Sequence, residues 1–270
     1  VEKKKYVLTL MSEDSIRPKF LADLARLLQT FEMSIDSISK LSDTSLKCIE
    51  MIVISNLDVE MGDASFKQFR TSLFQFGKEH NVDVAMQRES ILRRAKRLVV
   101  MDMDSTLIQQ EVIDELARHA GVYDKVQEIT HRAMGGGMDF NESLRQRVAM
   151  LAGCPASAFK DVIQNLVYTE GVELLCRALK KLGYRLAVIS GGFTAITDHV
   201  KQYLGLDFAY ANNLEVGPDG RFTGRTTGPI VNARRKADLL LTIAQQENIS
   251  TDQVIAIGDG ANDLPMLGVA

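Results

Sequence analysis

Residues that bridge covalently or bind soft metals are scarce in this chain, which has three cysteines and four histidines among 270 residues. Cys48 stands alone, and Cys154 and Cys176 lack any CxxC-type spacing. That excludes a disulfide scaffold and a thiolate zinc site, and it suits buried free thiols in a reducing, cytoplasmic compartment. His80, His119, His131 and His199 are scattered, so no histidine zinc centre is expected and each reads as structural or surface. Charge of one sign is lacking too. Lys and Arg number 32 against 35 Asp and Glu, a net charge of −3 that gives no support for nucleic-acid binding. No apolar run approaches a membrane span or has the form of a signal peptide. What remains is ordinary globular composition, 46% hydrophobic and 25% charged, in a length that suits a full α/β core and a second domain. The chain opens on Val1 rather than Met and stops at Ala270 inside a helix-like stretch, so both ends are expected to be trimmed.

Hydrophobic periodicity divides the chain in two. Tyr6–Met11, Ser34–Leu41, Cys48–Leu57 and Val82–Met86 read as strands. Arg17–Leu28 and Ala64–Phe76 carry apolar residues at helical spacing. The order β-α-β-β-α-β over residues 1–90 is that of a split βαβ, ferredoxin-like α+β domain. Residues 91–97 form a basic, helix-prone linker whose Arg93, Arg94, Lys96 and Arg97 read as a solvated face. From Leu98 strands and helices alternate, the mark of a parallel sheet. LVVMD, YRLAVIS (Tyr184–Ser190) and DQVIAIGD (Asp252–Asp259) are apolar throughout, as strands covered on both faces should be. The expected fold class is therefore α/β, a doubly wound parallel sheet over residues 98–270. A helical insertion at about 108–168 is placed as a cap, built of about four short helices. Gly135–Gly137 would be its flexible element, and Pro155 would open its last helix. Glu215–Gly224 reads as a hairpin turning on Pro218-Asp219-Gly220.

All three apolar strands end in polar residues, and open parallel sheets bind ligands beyond those ends. Asp102 and Asp104 follow the first strand. Two residues apart in an extended chain they share a face, and such crowded carboxylates disfavour each other's ionisation unless a cation or substrate lies between them. Asp259 ends the third strand, with Asp263 a turn later. Clustered carboxylates without histidine or thiolate favour a hard cation, Mg²⁺ beside phosphate. One aspartate is then free to attack phosphorus and the other to move a proton. Ser190 and Gly191, at the end of the second strand, offer donors to an anion, and Lys236 can neutralise a phosphoryl group. On the residues alone, Glu111 and Arg147 read as exposed helix charges.

DMDST, then SGG with Lys236 downstream, then GDGAND, resemble the four motifs of the haloacid dehalogenase superfamily. Glu111, the stretch MGGGMDFNESLRQRV (Met134–Val148) and TEGVELL (Thr169–Leu175) bring the resemblance closest to its phosphoserine phosphatase family. It spans Leu98–Ala270. The resemblance implies hydrolysis of the small molecule O-phospho-L-serine through an aspartyl-phosphate, with Asp102 as nucleophile and Asp104 as general acid and base. Mg²⁺ would be held by the side chains of Asp102 and Asp259 and the backbone carbonyl of Asp104. Ser190, Gly191 and Lys236 would hold the phosphoryl group, with Asn262 beside the substrate and Asp263 orienting Lys236 or a metal-bound water. Glu111 would meet the substrate ammonium and Arg147 its carboxylate, and Met134 and Phe140 would line the closed cap.

By its element order the amino-terminal segment resembles an ACT domain, a fold that often senses amino acids at a dimer interface. Its first turn, SEDSIRPKF, lacks the glycine usual at such ligand sites. Pairing of two copies into a homodimer is the role expected of it, with no nucleic-acid or membrane partner.

Overall fold

The computed structural model describes residues 3–43, 45–56, 64–135 and 137–270. They fall into two units, 1–91 and 92–270. In the first, β1 (Lys4–Met11), β2 (Ser34–Lys40), β3 (Cys48–Ser55) and β4 (Asp83–Arg88) form an antiparallel sheet in the order β2-β3-β1-β4, with α1 (Pro18–Thr30) and α2 (Ala64–His80). Alternation along the strands sends Tyr6, Leu8 and Leu10 of β1 and Ile49, Met51 and Val53 of β3 into one core with Phe20, Leu24 and Leu28 of α1 and Phe66, Phe69 and Leu73 of α2. The ferredoxin-like element order is present, with differences in detail. β2 is an edge strand whose residues are all exposed, and a register shift falls between Ile35 and Ser37. The end of the Cys48–Leu57 segment lies outside the described residues.

The basic linker forms one helical turn, α3 (Ile91–Arg94). Lys96 is not simply solvated: its Nζ donates to the carbonyl of Val254 at 2.9 Å, and burial lowers its pKa.

The second unit carries a five-stranded sheet, β8-β7-β6-β5-β9. β5 (Leu98–Met101), β6 (Arg185–Phe193), β7 (Phe208–Val216) and β9 (Val254–Ile257) run parallel, while β8 (Phe222–Thr227) pairs antiparallel to β7 as the second arm of the expected hairpin. Both faces of β5 are buried, Val99 and Met101 in one core and Leu98 and Val100 in the other. That double burial explains the uninterrupted apolar run. α8 (Val172–Lys181) and α9 (Thr194–Leu204) cover the first face, and α10 (Ala233–Gln246) and α11 (Leu264–Leu267) the second.

The insertion between β5 and β6 consists of α4 (Val112–His119), α5 (Tyr123–Met134), α6 (Phe140–Met150) and α7 (Ala158–Gln164). Asp139 caps α6 by accepting from the Glu142 amide at 3.0 Å. Pro155 does not open α7. It pairs in an isolated bridge with Arg221, and the helix starts three residues later behind Ser157. A proline has no amide to donate, so a short edge pairing tolerates it as well as a helical first turn does. The outgoing and returning chains are stitched together, Gln109 N–H to Val167 carbonyl at 2.9 Å and Thr169 N–H to Leu107 carbonyl at 3.0 Å. Gly136 lies outside the described residues. All three cysteines are free; Cys154 and Cys176 are buried and Cys48 half-buried. No helix among the described residues is long and apolar enough to cross a membrane.

Candidate active site

The carboxyl ends of β5, β6 and β9 meet the cap around a cavity of 460 Å³. Asp102, Asp104, Glu111, Phe140, Arg147, Gly191, Asp259 and Asn262 all line it. Ser190, Lys236 and Asp263 do not; they are buried and stand behind its wall. Met134 ends α5, and its side chain lies outside what is described.

Asp102 leaves β5 with its amide donating to the Ile257 carbonyl at 2.9 Å, which ties the ends of β5 and β9 together. Its Oδ1 accepts from Met103 N–H at 2.7 Å and from Lys236 Nζ at 2.8 Å. Burial pushes its pKa up to about 6 against the pull of Lys236. Asp104 is held differently: Oδ1 accepts from Val112 N–H at 3.0 Å and Oδ2 from the Ser190 hydroxyl at 3.0 Å. Burial raises it to about 7, with Glu111 and Asp102 adding to the rise. At neutral pH the first carboxyl is therefore mainly ionised and the second keeps much of its proton. Two aspartates two residues apart thus have distinct acid–base characters set by their neighbours.

The SGG end of β6 is where its register with β7 breaks, between Ile189 and Phe193. Glycine is needed there. A Cβ on Gly192 would lie 2.8 Å from Asp104 Oδ2 and 3.0 Å from Ser190 Oγ, and one on Gly191 would lie 3.1 Å from Phe140 Cζ. The Gly192 amide donates to Ser190 Oγ at 2.8 Å, so one hydroxyl links the second strand end to Asp104.

Lys236 is fully buried in the first turn of α10, with Nζ 2.8 Å from Asp102 Oδ1 and 2.7 Å from Asp263 Oδ1. Asp263 Oδ2 accepts from Gly260 N–H at 3.1 Å. A Cβ on Gly258 would come within 2.4 Å of the Asp263 side chain, so glycine leaves room for that carboxylate.

Carboxylate oxygens of Asp102, Asp259 and Asp263 lie within 4.8 Å of one another. Both oxygens of Asp263 are engaged, and Asp259 Oδ1 accepts from Thr106 Oγ1 at 2.9 Å. Among the described residues nothing donates to Asp102 Oδ2 or Asp259 Oδ2. Two unengaged hard oxygens from neighbouring strand ends fit a hard divalent cation.

On the cap side, Ser105 takes the left-handed conformation (φ 54°) and donates to Glu111 Oε1 at 2.7 Å. Burial raises the Glu111 pKa and lowers that of Arg147. Arg147 Nε donates to the Ser143 carbonyl at 3.4 Å.

Several residues at the site carry no signal in the one-dimensional pattern. Asn212 of β7 is buried, gives Nδ2 to the Gly191 carbonyl at 2.8 Å and accepts from Val231 N–H at 2.8 Å. It fixes the SGG loop from a distant strand. Asp114 and Gln127 line the cavity and are joined at 2.5 Å. A polar residue inside an otherwise half-apolar strand is the hint that could have marked Asn212.

Comparison with known proteins agrees with this geometry. The haloacid dehalogenase-like hydrolase family matches residues 99–268. A phosphoserine phosphatase of Streptomyces coelicolor is 47% identical over 88% of this chain and 56% of its own length. One of Saccharomyces cerevisiae is 40% identical over 98% of this chain and 85% of its own. A substrate-bound phosphoserine phosphatase structure superposes with a TM-score of 0.61 at 42% identity, over 65% of this chain and 83% of that one. A HAD-family hydrolase of Salmonella enterica serovar Typhi reaches a TM-score of 0.75 at 28% identity, over 98% of this chain and 87% of that one. The chain spans little more than half the length of some of these relatives, 56% for the Streptomyces protein and 63% for one of Archaeoglobus fulgidus.

Proposed function

The chain belongs to the haloacid dehalogenase-like hydrolases, and from that footing we propose that it hydrolyses O-phospho-L-serine to L-serine and phosphate, the last step of serine biosynthesis, with Mg²⁺ as cofactor. The observation that carries this reading is that Glu111 and Arg147 line the same cavity as Asp102 and Asp104. An amino-acid phosphate presents one cation and two anions; Glu111 and Arg147 in the cavity oppose its ammonium and carboxylate, and bound Mg²⁺, with Lys236 behind the wall, would oppose its phosphate.

Asp102 attacks phosphorus through a carboxylate oxygen while the ester P–O bond breaks. Asp104 gives its proton to the departing serine oxygen, a role suited to a carboxyl held near neutrality. A water then attacks the phospho-aspartate, its proton passes to Asp104, and the bond to Asp102 breaks to free phosphate. The side chains of Asp102 and Asp259 and the Asp104 backbone carbonyl would hold Mg²⁺, which when bound offsets the charge of the crowded aspartates and of the phosphoryl oxygens. Lys236 balances the charge on Asp102 from behind, kept in line by Asp263. Gly191 bounds the phosphoryl pocket, the Ser190 hydroxyl braces that wall from behind through Asp104 and the Gly192 amide, and Asn262 lies beside the substrate. Glu111 meets the ammonium and Arg147 forks onto the carboxylate. Phe140 supplies the apolar wall that excludes bulk water until serine has left.

We assign the amino-terminal unit a dimerising role, since β2 and β4 are both sheet edges. The free thiols suit a cytoplasmic location.

The test is phosphate release from O-phospho-L-serine with Mg²⁺, with EDTA, and with Asp102→Asn. Turnover that needs the metal and disappears in the variant is expected. No turnover by folded protein supplied with Mg²⁺ would sink the reading. If Arg147→Ala impaired p-nitrophenyl phosphate as much as phosphoserine, carboxylate recognition would be wrong.

A further inference from the structure

Arg147 is a half-buried guanidinium with an unusual shortage of close partners. Its Nε reaches only the Ser143 carbonyl at 3.4 Å, and among the described residues no carboxylate lies within 4.0 Å of its nitrogens. Asp114, Glu111 and Asp104 line the same cavity. Asp114 opposes the cost of its burial most strongly, ahead of Glu111 and Asp104. Asp114 feels Arg147 in return as its leading favourable charge.

Asp114 lies in the first turn of α4, three residues after Glu111, which is the N-cap of that helix. Both acids face the cavity. Each is held by one side-chain hydrogen bond, Glu111 Oε1 by Ser105 at 2.7 Å and Asp114 by Gln127. The Gln127 side chain, one helix away on α5, donates to Asp114 Oδ2 at 2.5 Å and so ties one carboxylate oxygen to α5 rather than to the guanidinium. The arrangement balances Arg147 without occupying its donors. Without that counter-charge, the nearest remedy for a poorly solvated guanidinium is to collapse onto Glu111. The two groups meant for opposite ends of the substrate would then neutralise each other.

We infer that Asp114, fixed by Gln127, is a positioning residue that holds Arg147 apart from Glu111 and thereby sets specificity for a zwitterionic phosphate ester. This rests on the proposed phosphoserine phosphatase reading.

The experiment compares O-phospho-L-serine with p-nitrophenyl phosphate, which has neither ammonium nor carboxylate, on the Mg²⁺-loaded enzyme. Asp114→Asn keeps the shape and an acceptor for Gln127. It is expected to raise KM for phosphoserine at least fivefold with kcat within twofold, leaving p-nitrophenyl phosphate within twofold in both. Gln127→Ala should shift the same constant in the same direction by less, and Asp114→Glu should restore part of it. In an Arg147→Ala background Asp114→Asn should add nothing, because the group it positions is gone. Equal losses on both substrates, a phosphoserine KM unchanged or lowered, or full additivity with Arg147→Ala would overturn the inference. Failure of the unmodified enzyme to turn over phosphoserine at all, with p-nitrophenyl phosphate still cleaved, would instead overturn the reading beneath it.

Discussion

Asn232 donates a hydrogen bond from Nδ2 to Oδ1 of Asn141 across 3.0 Å, joining the start of α10 to the start of α6. The same Asn232 caps α10 through its Oδ1, which accepts from Arg235 N–H at 3.0 Å. The side chain that ends the helix carrying Lys236 therefore also holds the cap helix carrying Phe140 and Arg147. Asn141→Ala breaks only the second of these links. Faster amide exchange in α6 is expected, with a melting temperature within about 2 °C of the unmodified protein, since one half-buried hydrogen bond contributes about 1 kcal/mol. Asn232→Ala loses the helix cap as well and should cost about 1 kcal/mol more. Hydrogen exchange and thermal melts on both variants check the pair.

Gly192 admits no side chain. Its Cβ would stand 2.8 Å from Asp104 Oδ2 and 3.0 Å from Ser190 Oγ. Gly192→Ala should leave the fold intact but displace Asp104, the proposed proton donor, lowering kcat by about 100-fold, as misplacement by about 1 Å does. Circular dichroism and steady-state rates separate that outcome from unfolding.

Asp104 has a pKa raised from 3.8 to about 7, so the folded protein binds its proton more tightly than the unfolded chain does. The ionised form is the penalised one, and stability is lost as pH rises from about 4 through 7. Asn at this position keeps an acceptor for Val112 N–H and carries no charge. In EDTA, Asp104→Asn should match the unmodified protein near pH 4 and exceed it by about 1–3 kcal/mol at pH 8. Denaturant melts across that range test the sign directly.

Lys236 is the buried counter-charge of Asp102 and Asp263. Lys236→Met strands both carboxylates, at a cost on the order of 3–5 kcal/mol at pH 8. The loss should shrink toward pH 5, below the value of about 6 at which Asp102 takes up a proton. Urea unfolding at the two pH values measures it.

Much of this was written in local pattern. LVVMD reads as a buried strand because both faces of β5 are covered, and DMDST follows because strand ends in a parallel sheet are where polar groups emerge. The four cap helices were legible from apolar spacing. What stayed hidden depends on pairings distant in sequence. Asn212 meets the Gly191 carbonyl 21 residues away, and its polarity inside a half-apolar strand hints at a buried role without naming the partner. Asp114 looks like any first-turn acid until Gln127 and Arg147 are set around it. Pro155 misled because a short edge bridge satisfies its chemistry as well as a helix start does.

The hydrogen bonds from Gln109 to Val167 and from Thr169 to Leu107 hold the entry and exit of the inserted helices side by side. Everything between them is thus a cassette on a double tether. Exchanging residues 110–166 for another insert would keep the sheet, Asp102, Asp259 and Lys236 while replacing Glu111, Asp114 and Arg147 together, provided the new insert again offers Asp104 the amide that Val112 gives it. Such an arrangement lets what the site accepts change by trading one contiguous block, while the strand-end residues proposed to break the bond stay on the sheet.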